Sequence, residues 1–171
     1  MALRLSDLRS ASAGFRKYAS EALTETRATQ LGMKTAFLCH SHKDAQYAEG
    51  LVAELRDQGW KIYIDWKDNT MPEHPNADTA DKIQSRIKSL NYFLYLATPN
   101  SNSSRWFPWE IGYADGVKAR SRMFLIQTQD DNGHVYGAEY LELYQSIDRA
   151  NSGRLAAFDP GATQGTLVQN L

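Results

Sequence analysis

The sequence predicts an α/β domain built on a central parallel sheet flanked by helices. Short apolar segments recur along the chain: TAFLC (35–39), KIYIDW (61–66), YFLYLA (92–97) and MFLIQT (123–128). YFLYLA is apolar on both faces, as a central strand covered on both sides should be. The stretches between these segments space their apolar residues three or four apart, the period of a helix. Strands alternating with helices in this way imply parallel pairing through helical crossovers.

Taken in order, the first unit is residues 1–32, an N-terminal amphipathic helix. Leu8, Ala11, Phe15, Tyr18 and Ala22 form its stripe, and Ser6 is the expected N-cap. This helix carries no evident chemistry and is expected to pack on the domain or to serve self-association. TAFLC is the first strand, and SHKD leads into a helix whose stripe is Ala48, Leu51, Val52 and Leu55, with Gly59 at its C-terminal end. KIYIDW is the second strand, with Ile62 and Ile64 on one face. The polar run KDNTMPEHPNAD follows, with Pro72 and Pro75 opposing regular structure. At roughly 12 residues it exceeds most strand-to-helix connections, which points to a functional loop.

Asp78 or Thr79 is the expected cap of the next helix, whose inner face is Ile83, Ile87 and Leu90. After YFLYLA, TPNSNSSR is a loop and the helix containing Glu110 follows. MFLIQT is the fourth strand and DDNG (130–133) a turn. EYLELYQSI (139–147) fits either a strand or a short helix. The tail, 151–171, is expected to be loop with a short terminal helix. No internal repeat or low-complexity tract is present.

The composition is that of an ordinary soluble globular protein, with 42% hydrophobic and 23% charged residues. A net charge of -1, from 19 basic and 20 acidic residues, gives no support to nucleic-acid binding. No apolar run approaches the roughly 18 residues that span a bilayer, and MALRLSDLRS lacks the apolar core of a secretory signal. The single cysteine, Cys39, suits a reducing compartment. The expectation is a cytoplasmic protein with neither nucleic acid nor membrane as partner.

Ligands of open α/β sheets bind outside the carboxyl ends of the strands. His40 and Ser41, Asp65 and Trp66, and the loop from Thr98 to Ser104 lie at three such ends. Neither GxGxxG nor GxxxxGK[ST] occurs, which disfavours a Rossmann dehydrogenase or a P-loop NTPase. His40, His42 and Asp44 are close in sequence, but loop hydrogen bonding and capping explain them more simply than a metal does, and no metal or cofactor is expected. Cys39 reads as a small buried strand residue. It does not pair with His40 as a nucleophile, because adjacent strand side chains face opposite ways.

SSRWFPWEIGYADG (103–116) sets Glu110 beside Trp106 and Trp109, just inside a helix opened by Pro108. The helix dipole favours the ionised carboxylate there, while aromatic surroundings oppose it by desolvation. A carboxylate beside aromatic faces suits cleavage of a glycosidic bond to an already cationic leaving group. Nicotinamide leaving NAD needs no general acid, and a carboxylate can stabilise the oxocarbenium-like ribose. Aromatic rings such as Trp109 can stack on nicotinamide or adenine. Equally, Glu110 can simply interact with its own helix dipole, which needs no substrate.

The run from Thr35 to Trp66 resembles the first box of TIR (Toll/interleukin-1 receptor) domains: a strand, a Ser/His–x–x–Asp turn, a helix, and a strand ending in Asp. SSRWFPWEIGYADG resembles the later box, in which a tryptophan precedes a glutamate by four positions, here Trp106 and Glu110. The resemblance covers roughly residues 34–127 and is closest to stand-alone bacterial TIR proteins. It implies a flavodoxin-like TIR fold over 33–150 with the N-terminal helix added. It further implies an NAD-cleaving enzyme that releases nicotinamide and gives ADP-ribose or a cyclic isomer, NAD being substrate rather than cofactor, in antiphage defence. Glu110 would be the catalytic residue, with Trp106 supporting the pocket and His40 and Ser41 lining the nicotinamide-ribose side. Asp65 and Trp66 would begin a loop, to Pro75, that covers the site and mediates TIR–TIR self-association. The first strand departs from the family in ending Cys39–His40 rather than Ser–His or Ser–Tyr. A separate effector responding to the nucleotide product is a further expectation, since the chain shows no sensor or effector domain of its own. Two alternatives stand beside this reading: a non-catalytic TIR adaptor and a nucleoside deoxyribosyltransferase-like enzyme.

Overall fold

A computed structural model of the chain describes residues 2–18, 24–68, 76–104, 106–137 and 143–171. The four apolar segments all supply strands: β2 (Lys34–Cys39), β3 (Trp60–Tyr63), β4 (Tyr92–Leu96) and β5 (Met123–Ile126) follow a short β1 (Leu3–Arg4). The chain continues through β6 (Thr128–Gln129), β7 (Val135–Tyr136), β8 (Gln145–Arg149), β9 (Leu155–Phe158) and β10 (Thr166–Leu167). Strands β2, β3, β4, β5 and β8 pair in parallel, and β9 and β10 extend the sheet antiparallel. The sheet order is β10-β9-β8-β5-β4-β2-β3. Numbered among themselves, the five parallel strands run 2-1-3-4-5, the flavodoxin-like order.

Side chains alternate between two cores, one on each sheet face. Leu38, Leu94, Leu96, Phe124 and Ile126 face α3 (Ala45–Arg56), whose expected stripe of Ala48, Leu51, Val52 and Leu55 is buried. Phe37, Cys39, Phe93, Tyr95 and Leu125 face α4 (Ala77–Ser89) and α5 (Phe107–Val117), with Ile83, Ile87, Leu90 and Ile111. Period-two strands between helices on both faces explain why these segments read as continuously apolar.

The N-terminal stripe forms α1 (Leu5–Tyr18), and a second helix, α2 (Glu25–Gln30), precedes β2. Leu8 is fully buried against α3, whereas Ala22 falls outside the described residues. Gly50 of α3 faces the backbone of Leu8 so closely that a Cβ there would overlap the Leu8 carbonyl. The absence of a side chain lets the helices meet backbone to backbone. Ser6 lies inside α1 rather than capping it, because Leu3 and Arg4 pair with Thr128 and Gln129 and the chain enters the helix directly at Leu5.

Several expected boundaries move. KIYIDW leaves the sheet after Tyr63: Lys67 N–H bonds the Ile64 carbonyl, and Asp65–Lys67 is a 3-10 turn. The loop residues from Asn69 to Pro75 lie outside the described residues. Asn76, not Asp78 or Thr79, caps α4; Thr79 instead completes a reciprocal capping box with it. MFLIQT divides at Gln127, and Thr128 joins β1 and β7 in a second small sheet. DDNG is the turn between β6 and β7, with Gly133 at φ 87°. EYLELYQSI resolves at its described end into the start of β8. The tail expected to be loop and helix contributes β9 and β10, and only its last turn, Val168–Asn170, is helical (3-10). The Trp60 indole anchors that turn by donating to the Val168 carbonyl at 3.0 Å.

Candidate active site

From β2 the chain leads to β3 on one side, and β4 lies on the other, which makes the gap between β2 and β4 the topological switch point. Cys39 ends β2 there, and His40 and Ser41 follow it directly. The turn of Asp65 and Trp66 follows β3, and Glu110 enters from α5.

Glu110 is the fourth residue of α5, and its backbone N–H is already taken by the Trp106 carbonyl at 2.9 Å. It lies past the free amides that would favour its charge, and its side chain is buried. Desolvation wins: burial pushes its carboxyl from an ordinary 4.5 up to about 8, although the Cys39 thiol hydrogen-bonds it and pulls the other way. The Asp65 charge adds to the rise. Burial, together with the Glu110 carboxyl, pushes the Cys39 thiol well up. Cys39 is therefore a buried, protonated donor to Glu110 rather than a nucleophile.

His40 faces the other way, as strand alternation requires. Its side chain is 1% exposed, and Trp66 packs edge-on against its ring with centroids 4.3 Å apart. Nδ1 lies 2.9 Å from the Leu38 carbonyl, which can only accept, so Nδ1 carries the proton. Burial lowers the His40 pKa and keeps the ring neutral. Among the described residues Nε2 has no hydrogen-bond partner, and it lies 4.0 Å from Asp65 Oδ1.

His42 donates from Nε2 to Asp65 Oδ2 at 3.1 Å, and this bond raises its pKa. Burial alone would push Asp65 up, but the His42 hydrogen bond, the nearby imidazoles and the Trp66 amide at 2.8 Å outweigh it and hold the carboxyl low. The result is an ionised carboxylate, Asp65, electrostatically coupled to a carboxyl that resists ionisation, Glu110. Environments that push two acids apart in this way are characteristic of catalytic sites.

Ser41 is buried and accepts from Lys43 N–H at 3.4 Å, capping the short turn after β2. Trp106 and Trp109 pack edge to face with centroids 5.3 Å apart, and Trp109 stacks on Tyr113 at 6.0 Å. Their described ring contacts run along α5 rather than toward His40, Asp65 and Trp66. The structure thus brings His40, Asp65 and Trp66 together with His42, and Glu110, reached through Cys39, feels the charges of Asp65 and His42.

Asp44 and His42 were not among the expected site residues. Asp44 is buried and accepts from the Thr98 hydroxyl at 2.5 Å and from the Asn100 amide at 2.6 Å. Ser101 Oγ bridges the Thr98 amide and the Leu96 carbonyl. This network ties the end of β2 to the loop that carries α5. Its sequence signal was the Ser–x–x–Asp spacing and a loop rich in Ser, Thr and Asn. Among the described residues, no group of three His, Cys, Asp or Glu side chains is arranged to hold a metal, and no helix is long and apolar enough to cross a membrane.

The parallel sheet order, the acidic pair at its switch point and the tryptophan–glutamate helix define a TIR fold, and residues 36–158 match the TIR domain family. The chain belongs to that family. It is also 31% identical over 113 residues to the Bacillus cereus (strain MSX-D12) protein named "Probable 3' cyclic ADP-D-ribose synthase ThsB'". The match covers 65% of this chain and 58% of that relative.

Proposed function

We propose that this chain is a bacterial TIR-domain enzyme that cleaves NAD at the nicotinamide–ribose bond. The observation that carries the reading is Glu110: buried, with its carboxyl near 8, at the switch point of a TIR sheet. The relative named as a cyclic ADP-ribose synthase supports the same chemistry. The C1′–nitrogen bond breaks with its electron pair passing to nicotinamide, which leaves neutral, and the ribose becomes oxocarbenium-like. Water then adds at C1′ and loses a proton to give ADP-ribose, or a nucleophilic atom of the same molecule adds to give a cyclic isomer.

A buried carboxyl that holds its proton suits a cationic substrate. The pyridinium charge stabilises the carboxylate, and the carboxylate then faces the charge that develops on ribose. Cys39 orients Glu110. His40 Nε2 and Asp65 offer acceptors for hydroxyl or amide donors of the substrate, Trp66 forms the adjoining wall, and Ser41 holds the β2 end in place. Trp106 and Trp109 support the helix that delivers Glu110 and provide an aromatic surface for the bases. Self-association between TIR domains, a cytoplasmic setting, antiphage defence and a separate effector that responds to the product complete the reading, on the strength of the family.

The test incubates concentrated protein with NAD and separates products by chromatography and mass spectrometry. Nicotinamide release is expected, and Glu110→Gln should abolish it while the fold is retained. Undiminished turnover by a folded Glu110→Gln variant would sink the assignment. A silent wild type, even under conditions that promote assembly, would favour the adaptor, and a preference for deoxynucleosides the transferase.

A further inference from the structure

The turn that carries Asp65 and Trp66 is held from both faces of the sheet by its next two residues. On one face, Lys67 Nζ lies 3.0 Å from Glu49 Oε1 of α3 and 4.4 Å from the ring centroid of Phe15 on α1. On the other, Asp68 accepts from Tyr63 at 2.7 Å and from Arg86 of α4 at 3.4 Å. Phe15 and Trp66 also pack on the same core.

We propose that α1 is a positioning element of the active site, acting through Phe15 and Lys67 on the turn that presents Asp65 and Trp66 to His40 and His42. The proposal rests on the NAD-cleaving reading only where turnover is measured. Helix α1 is a firm base for this role: its backbone abuts Gly50, Leu8 is fully buried, and Arg9 donates to the Tyr47 hydroxyl at 2.8 Å. Lys67 joins that base to the turn by an ion pair and a cation–π contact. Only Trp66 separates Lys67 from Asp65 within this turn, and the Asp68 N–H closes it on the Asp65 carbonyl at 2.9 Å, so a shift of Lys67 is transmitted directly. The energy of a half-exposed ammonium is modest; its effect is geometric.

The test uses the full chain. The variants are Lys67→Ala, Lys67→Arg and Phe15→Leu, the last keeping an apolar side chain on α1 while removing the ring. Two readouts are followed beside the melting temperature: the NMR titration of His42, and KM against kcat for NAD. Releasing the turn separates Asp65 from His42, so the His42 midpoint should fall toward its ordinary value in Lys67→Ala and Phe15→Leu. Loss of a positive charge alone would move it the other way in Lys67→Ala and leave it still in Phe15→Leu, so the direction identifies the cause. KM should rise roughly tenfold with kcat little changed, a fraction of the ~100-fold that a 1 Å misplacement can cost. Lys67→Arg should restore both. An unchanged His42 titration in both Lys67→Ala and Phe15→Leu overturns the proposal. Should the wild type leave NAD intact, the substrate reading fails, and the His42 titration still decides whether α1 positions the turn.

Discussion

The backbone of Gly50 on α3 and the carbonyl of Leu8 on α1 are so close that no side chain fits between them. Elsewhere in an exposed helix, exchanging glycine for alanine raises stability by up to about 1 kcal/mol. Here the sign should reverse. Gly50→Ala is expected to cost about 1–3 kcal/mol through overpacking, measured as a lower denaturant midpoint. Earlier proteolysis within residues 5–18 should accompany it, because relief of the overlap requires α1 to lift.

Glu110 makes stability fall with rising pH. Its folded carboxyl near 8 lies above its ordinary 4.5, so its contribution is fully present below about 4.5 and is lost as pH rises through about 8. Glu110→Gln removes that dependence. Urea melts at pH 5 and pH 8.5 should show the variant gaining on the wild type at the higher pH, even as its turnover vanishes.

Asp65 is one of the groups that hold the Glu110 carboxyl up, and it also raises His42. Asp65→Asn should therefore move the pH–rate profile for NAD cleavage toward acid and bring the His42 titration back toward its ordinary midpoint. The profile comes from initial rates of nicotinamide release between pH 5 and 9. A profile shifted toward alkali would contradict the electrostatic coupling.

Asp44→Ala strands two donors, the Thr98 hydroxyl and the Asn100 amide, that the buried carboxylate now accepts. A loss of about 2–3 kcal/mol is expected, read from thermal or urea unfolding. Because this network fixes the loop before α5, turnover should fall even where the variant remains folded.

Strands β2, β4 and β5 were legible because each buries both faces, edge strand β3 because its apolar residues alternate, and the location of the candidate site because sheet topology points to it. Glu110, His40, Asp65 and Trp66 stand out on those grounds. What sequence left open were outcomes of competition. Desolvation and the helix dipole oppose each other at Glu110, and only the depth of burial and the satisfied amide decide between them. His42 meets Asp65 because β3 ends at Tyr63 and the chain turns, a long-range result that no local pattern encodes. β9 was hidden for another reason: Leu155–Phe158 contains two alanines, which favour strands weakly, and its pairing with β8 supplies the order its residues do not.

That pairing also bears on solubility. Without β9, the five residues of β8 would leave one row of amides and carbonyls open along the parallel sheet, a template for strand addition by another chain. The antiparallel return through β9 occupies that row, and beyond it β10 offers only two residues before the 3-10 turn pinned by Trp60. The C-terminal segment thus shields this edge of the sheet against strand addition. The contact between copies that the proposed activity calls for is thereby directed away from this edge of the sheet.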